Sequence, residues 1–288
     1  AKPLCRPPST SRLPSHPGFR SYLSHPHPSP LLRRMRAFLV LLVAQSAAAR
    51  IWGAGSALPS SGGFSKSARQ FTACQLKSGD VDLDQFGKAT QEYCELIRKW
   101  GSCTAPSISQ VYLCLAKIDK ARRELERRQR ESKAPTRLNT MKLLLESEAK
   151  FNIHKPGAVL ADPSGAMGLL WVRRGLVYWL KVFELEVARL KAALKGKKPA
   201  PQPFREQCKI AYEQVLKPFH GWVSRRGFGV ALRGMPEWSD LRKKSGLPKE
   251  DDQLMQELQE WIKSVTSLHK CMVTLQTKFG MEDLRKSI

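Results

Sequence analysis

Few side chains in this sequence could make or break bonds. Seven cysteines stand at positions 5, 74, 94, 103, 114, 208 and 271. No two form a C-x-x-C pair and the count is odd, which argues against a zinc ribbon and against a disulfide scaffold. Reduced, mostly buried thiols are the expectation. Of the six histidines, His16, His25 and His27 each precede a proline in a polar stretch, leaving His154, His220 and His269. There is no HExxH, no P-loop, no G-x-S-x-G elbow and no G-x-G-x-x-G opening a helix. No cysteine has a histidine and an amide or acid near it in a catalytic arrangement. The sequence therefore predicts a protein that binds rather than catalyses, with no cofactor and no metal.

What remains is recognition chemistry. Residues 169–176 read LLWVRRGL, and residues 211–222 read AYEQVLKPFHGW. The Trp171 indole offers a flat apolar face with an N–H donor at its edge. The His220 imidazole can donate one N–H and, when neutral, accept at the other nitrogen. Trp222 carries an amphipathic ring of the kind that suits a membrane interface. Each has a plainer alternative: a core aromatic, a satisfied helix histidine, an interface aromatic. Arg173 and Arg174 follow Trp171 closely and are expected to be pointed elsewhere by the helix.

Helices must position these residues. Phe86, Ala89, Tyr93, Leu96, Ile97 and Trp100 recur at helical spacing after an acidic start at 80–84, and Gly101 and Pro106 break that run. Ile108, Val111, Tyr112, Leu115, Ile118 and Leu125 form a second stripe, followed by a charged run at 120–133 that reads as a solvated helix face. Leu138, Met141, Leu144, Leu145 and Ala149 form a third stripe. Asp162-Pro163-Ser164-Gly165 marks a turn and a helix start. A long apolar helix is expected over 166–194 and a loop over 195–203. Another helix should run from Phe204 towards Gly234-Met235-Pro236, with a short piece near Trp238. A last amphipathic helix should carry Leu254, Leu258, Trp261, Ile262, Val265, Met272, Leu275 and Phe279. No period-2 strand stands out. The reading is an all-α domain of six to eight helices over residues 80–288.

Charge divides the chain. All 25 acids lie at or after Asp80, whereas residues 1–79 hold 11 of the 49 Lys and Arg. The later part is still basic, its remaining 38 cations exceeding the 25 acids by 13. The first 30 or so residues are rich in Pro, Ser, His and Arg and cannot bury a core. Residues 35–49 combine flanking arginines, an apolar AFLVLLVA and small residues, the pattern of a secretory signal; the basic Gly/Ser stretch after them has the composition of an organelle transit segment. Residues 1–79 are therefore expected to be a disordered basic extension with a possible targeting segment. No apolar run reaches the ~20 residues a membrane-spanning helix needs.

In order and spacing, W-x-R-R-G-L at 171–176 and A-Y-x-x-x-L-x-x-F-H-G-W at 211–222 closely resemble two blocks of the glycolipid transfer protein family. The resemblance extends more weakly from about Asp82 to the C-terminus. It implies an all-helical two-layer sandwich that takes up one sphingolipid and ferries it between membranes. By resemblance, His220 would bond the carbonyl of the ceramide amide and Trp171 would lie under a sugar ring. In the ceramide-1-phosphate branch an arginine stands at the Trp171 position, so tryptophan favours a sugar head group. Trp222 would sit at the portal against the membrane. Leu170, Val177, Leu180, Phe183, Val187, Val215, Phe219 and Leu275 are candidate walls of a cavity for the lipid chains, or ordinary core residues. The resemblance further implies a cytoplasmic monomer that touches membranes transiently, with the secretory pathway or an organelle as the alternative if residues 35–49 act as a signal.

The head-group helix departs from the family pattern. That helix carries Asp, Asn four residues on, and Lys three further. Aligning on Lys117-Ile118 puts Gln110 at the Asp and Cys114 at the Asn, so only Lys117 survives. Changed specificity, weak transfer, or a stretch around 102–115 foreign to the native protein would each account for this. The basic excess and the missing Asp keep ceramide 1-phosphate open as the ligand. A pI of about 10.1 also suggests nucleic-acid binding, although no motif accompanies it and no nucleic-acid partner is expected. A helical scaffold protein is the third class.

Overall fold

The computed structural model describes residues 63–132, 135–196 and 203–286, which carry nine α-helices and no strand. The expectations for the extension before residue 63, the signal-like segment 35–49 included, lie outside the described residues.

The boundary expected at residue 80 moves upstream. Helix α1 (Gly63–Ala73) lies in the stretch assigned to the extension, yet it buries Phe64, Ser67, Ala68 and Phe71. It packs along the last helix, α9 (Asp251–Lys278). The Phe64 N–H donates to Glu257 Oε2 at 2.9 Å, and the Trp261 indole N–H donates to Ser67 Oγ at 3.2 Å. The Phe64 ring meets Phe183 edge-on at 4.8 Å and Trp261 at 6.5 Å. Lack of acids and a Gly/Ser-rich flank masked a usable signal: Phe64, Ala68 and Phe71 recur at spacings of four and three.

Most later elements follow their sequence cues. Helix α2 (Leu83–Arg98) is capped by Asp82, whose side chain accepts from Gln85 N at 2.8 Å. Gly101, at φ 104°, ends the run in a conformation glycine favours, and a 3₁₀ turn (Ser102–Thr104) leads to α3 (Ala105–Glu131), with Pro106 in its first turn. In the charged half of α3, Arg127 and Arg128 pair with Glu124 and Arg127 also with Glu131, as a solvated face should. Helix α4 (Met141–Lys150) is capped by Thr140. Helix α5 (Gly165–Leu194) is capped by Ser164, and its first two free N–H groups, Gly165 and Ala166, donate to the buried Glu148 carboxylate.

Helix α5 is the axis of the molecule. It packs on α3, on α9 and on α6 (Phe204–Val215). Its apolar residues run almost all round, as burial on several sides requires. At the α3 crossing Gly168 is indispensable: a Cβ there would stand 2.7 Å from Cys114 O and 2.9 Å from Ile118 Cγ1.

The long helix expected from Phe204 to about residue 234 is two helices, α6 and α7 (Trp222–Arg233). Pro218 disfavours a helical Lys217 and lacks an N–H of its own. The Arg225 guanidinium then holds the turn, donating to His220 O at 2.9 Å and Lys217 O at 3.1 Å. A short α8 (Trp238–Ser245) precedes α9.

Candidate functional site

That break lifts His220 out of a helix and sets it against Trp171. The two rings stack with centroids 5.6 Å apart and planes 29° apart. Tyr212 flanks the imidazole at 5.5 Å and itself stacks on Phe228 at 3.7 Å. Nδ1 of His220 is buried and has no hydrogen-bond partner. Burial, with the nearby charges of Arg174 and Arg225, pulls the His220 pKa from 6.5 down to about 4. At neutral pH the ring is thus uncharged, an aromatic plate with one nitrogen waiting for a partner.

Arg174 corrects the expectation that both arginines point away. It lies three residues after Trp171, hence on a neighbouring face of the same helix. Its guanidinium sits over the Phe219 ring at 3.6 Å and over Trp171 at 5.1 Å, and donates to the Asp283 carbonyl. Burial lowers its pKa to about 10, which leaves it charged. Arg173 does turn away, into a bond with Glu282 at 2.6 Å. The tail after α9 therefore anchors both arginines.

The α3 wall lies opposite. Helices α3 and α5 run antiparallel: Cys114 faces Gly168, whereas Lys117 reaches Asp162, just ahead of α5. Lys117 and Trp171 each stand three residues beyond a crossing residue, an offset of about 60° in the same sense. In an antiparallel pair equal offsets turn to the same side but run in opposite directions along the axes, so Lys117 and Trp171 flank one side of the seam roughly 9 Å apart along it. Gln110, four residues before Cys114, is turned to that side as well. Gln110 Nε2 reaches Cys114 Sγ at 3.6 Å. Cys114 is buried, and burial pushes its thiol up to about 11, which makes it a packing residue. Lys117 Nζ is bound to Asp162 Oδ1 at 2.5 Å.

The expected cavity walls are scattered. Leu170 is buried and Phe183 stands in the aromatic core between Phe64 and Trp261. Val215 and Phe219 are half-buried near His220, and Val187 lines a shallow groove of about 370 Å³ between α5 and α9, remote from Trp171. An enclosed space lies elsewhere, as a slit between α2, α3 and α5 lined by Thr90, Tyr93, Ile97, Val111, Leu176 and Trp179 among others. Its open volume is about 10 Å³, room for about one water. Sequence reasoning passed over these residues because core and cavity-lining side chains share one spacing.

Trp222 lies on α7, where no residue is buried. Trp222, Val223 and Val230 are exposed beside Arg225, Arg226 and Arg233, and Arg226 stacks on Trp222 at 4.5 Å. Among the described residues no helix is long and apolar enough to cross a membrane, and no group of three His, Cys, Asp or Glu could hold a metal ion. The described thiols, apart from the half-buried Cys271, are buried, and none forms a disulfide.

A stacked indole and imidazole with a free ring nitrogen beside an apolar seam suit the binding of an amphipathic molecule. A sequence profile of the family described as Glycolipid transfer protein (GLTP) matches residues 81–247, and the chain belongs to that family. The zebrafish (Danio rerio) glycolipid transfer protein is 25% identical over 152 residues, covering 51% of this chain and 68% of its own. Among solved structures, human ceramide-1-phosphate transfer protein in complex with 12:0 ceramide-1-phosphate superposes with a TM-score of 0.63 at 16% identity, covering 76% of this chain and 97% of that one. A structure describing how FAPP2 selects simple glycosphingolipids using the GLTP-fold gives 0.56 at 19% identity, covering 78% and 99%. At these identities the likeness establishes the fold, a two-layer helical sandwich, and both head-group classes occur among the neighbours.

Proposed function

We propose that the protein binds a single sphingolipid with a sugar head group and carries it between membranes, acting as a monomer without cofactor or catalysis. The observation that carries this reading is the Trp171–His220 plate with its buried, unpartnered Nδ1. The indole face suits the C–H face of a hexose, and the imidazole would bond the ceramide amide. Two long chains hold tens of methylenes, each worth ~0.8 kcal/mol on burial, so they need a dry interior. The slit beside α5 is the natural place for α2 and α3 to part and admit them. The exposed apolar and cationic side chains of α7 support docking on an anionic membrane surface, where each nearby cation is worth about 1 kcal/mol.

Side-chain pairing supports the sugar over a phosphate. Lys117 and Arg173 are paired with Asp162 and Glu282, while Arg174 and Arg225 keep their charge but spend their N–H groups or faces on two rings and on the Asp283, His220 and Lys217 carbonyls.

Vesicle-to-vesicle transfer of a fluorescent glucosylceramide tests the reading. His220→Leu roughly keeps volume and removes the amide's partner, and leaving that group unsatisfied costs ~1–3 kcal/mol. Transfer should fall about tenfold or more while helix content and Tm change little. An unaltered protein that extracts neither glucosylceramide nor ceramide 1-phosphate would overturn the assignment.

A further inference from the structure

Asp162 lies outside both sequence blocks and outside the head-group helix. Its carboxylate nevertheless reaches that helix: Asp162 Oδ1 lies 2.5 Å from Lys117 Nζ, on the side of the α3/α5 seam that Trp171 shares. The Asp162 side chain is about half exposed (54%), so its second oxygen is open to a ligand, whereas Lys117 is three-quarters covered.

The segment that presents Asp162 is held on both sides. Before it, Leu160 N–H donates to Asp283 Oδ2 at 3.0 Å and Ala161 N–H to His154 Nδ1 at 3.2 Å. After it, Ser164 caps α5 by accepting from Met167 N, and Glu148 accepts from Gly165 and Ala166. A carboxylate fixed in this way is pre-organised, and the lysine comes to it.

Resting on the sphingolipid reading, we propose that Asp162 is a specificity-determining residue: it neutralises Lys117 and offers its free oxygen to head-group hydroxyls, selecting an uncharged, hydroxyl-bearing head group against a phosphate. Two effects act in the same direction. A phosphate approaching Lys117 would meet a carboxylate already there, and like charges at hydrogen-bond range repel. A sugar hydroxyl gains a charge-assisted acceptor instead. Asp162 thus supplies from the loop a carboxylate that Gln110 does not supply from the helix.

The test is competitive uptake from vesicles holding equal amounts of glucosylceramide and ceramide 1-phosphate, read by mass spectrometry of the protein-bound lipid. Asp162→Asn keeps the shape of the side chain, frees Lys117 and should shift the bound ratio towards ceramide 1-phosphate by about tenfold. Adding Lys117→Met to Asp162→Asn should abolish the gain. If the amide variant loses its helical signal, Asp162→Ser provides the same reading. An unchanged ratio in a folded variant, or a gain that survives Lys117→Met, overturns the proposal while leaving the lipid assignment standing. Uptake of neither lipid by the unaltered protein overturns the lipid assignment itself, and this proposal with it.

Discussion

Two clusters of aromatic rings in this molecule do opposite things with the same kind of residue. Phe64, Trp100, Phe183 and Trp261 form a closed cluster, each ring at most 1% exposed, joined by edge-on contacts of 4.8 to 6.5 Å. Trp171, Phe219 and His220 form an open one: half-buried, charged by Arg174, and holding an unpartnered ring nitrogen. The closed cluster uses its rings for apolar area. Each cluster has one ring nitrogen without a partner, but the Trp100 indole N–H is sealed inside the core, whereas the His220 nitrogen stands in a half-buried cluster where a ligand can complete it. Stability and selectivity should therefore separate cleanly between the two.

The largest effect is expected in the closed cluster. Phe64→Ala removes a fully buried ring that joins α1 to α5 and α9, and such truncations cost about 3–5 kcal/mol. The urea midpoint should drop accordingly, while any protein still folded keeps its relative preference among lipids. If truncation at residue 80 leaves the midpoint unchanged, α1 is dispensable and the comparison fails.

In the open cluster Trp171→Arg should do the reverse. The sugar platform goes and a phosphate partner arrives, so the uptake ratio should move towards ceramide 1-phosphate while the urea midpoint changes little. Equal relative uptake by variant and parent would reduce Trp171 to packing.

The smallest effect is in the pH dependence of stability. His220 titrates near 6.5 unfolded and near 4 folded, so between those values the unfolded chain binds the extra proton. Its contribution makes stability fall as pH drops from 6.5 towards 4, and adds no further slope below. Carboxylates such as Asp283, held down to about 2 by Arg285 and backbone N–H bonds against the opposing effect of burial, act at lower pH. Subtracting the His220→Leu profile from the parent profile isolates the histidine. A flat difference between pH 6.5 and 4 would mean that the ring is more open to water than its stacking on Trp171 implies.

Much of the fold was legible because its cues are local. Asp82, Thr140 and Ser164 cap the helices that follow them, and Pro106 falls in a first turn. The 204–234 stretch misled because its apolar periodicity continues through Pro218, and periodicity alone carries no stop. Helix α1 is hard to see because its stretch holds no acid and follows a Gly/Ser-rich run, although Phe64, Ala68 and Phe71 keep helical spacing. The motif blocks gave Trp171 and His220, which the structure does bring together, and Trp222, which it exposes. Cys114, drawn in by register alone, is a crossing residue. Asp162 was read only as part of a turn, because nothing local ties it to a lysine 45 positions earlier.

By itself, then, the sequence determined most of the helices and the two family blocks, since caps, stripes and short motifs are written within a few residues of one another. Tertiary structure alone decided that Phe64 belongs to the core, that Arg174 covers Trp171, and that Lys117 meets Asp162. Each of these depends on which faces of distant helices turn towards one another. That is set by the joint packing of α1, α3, α5 and α9, and no window of sequence contains all four.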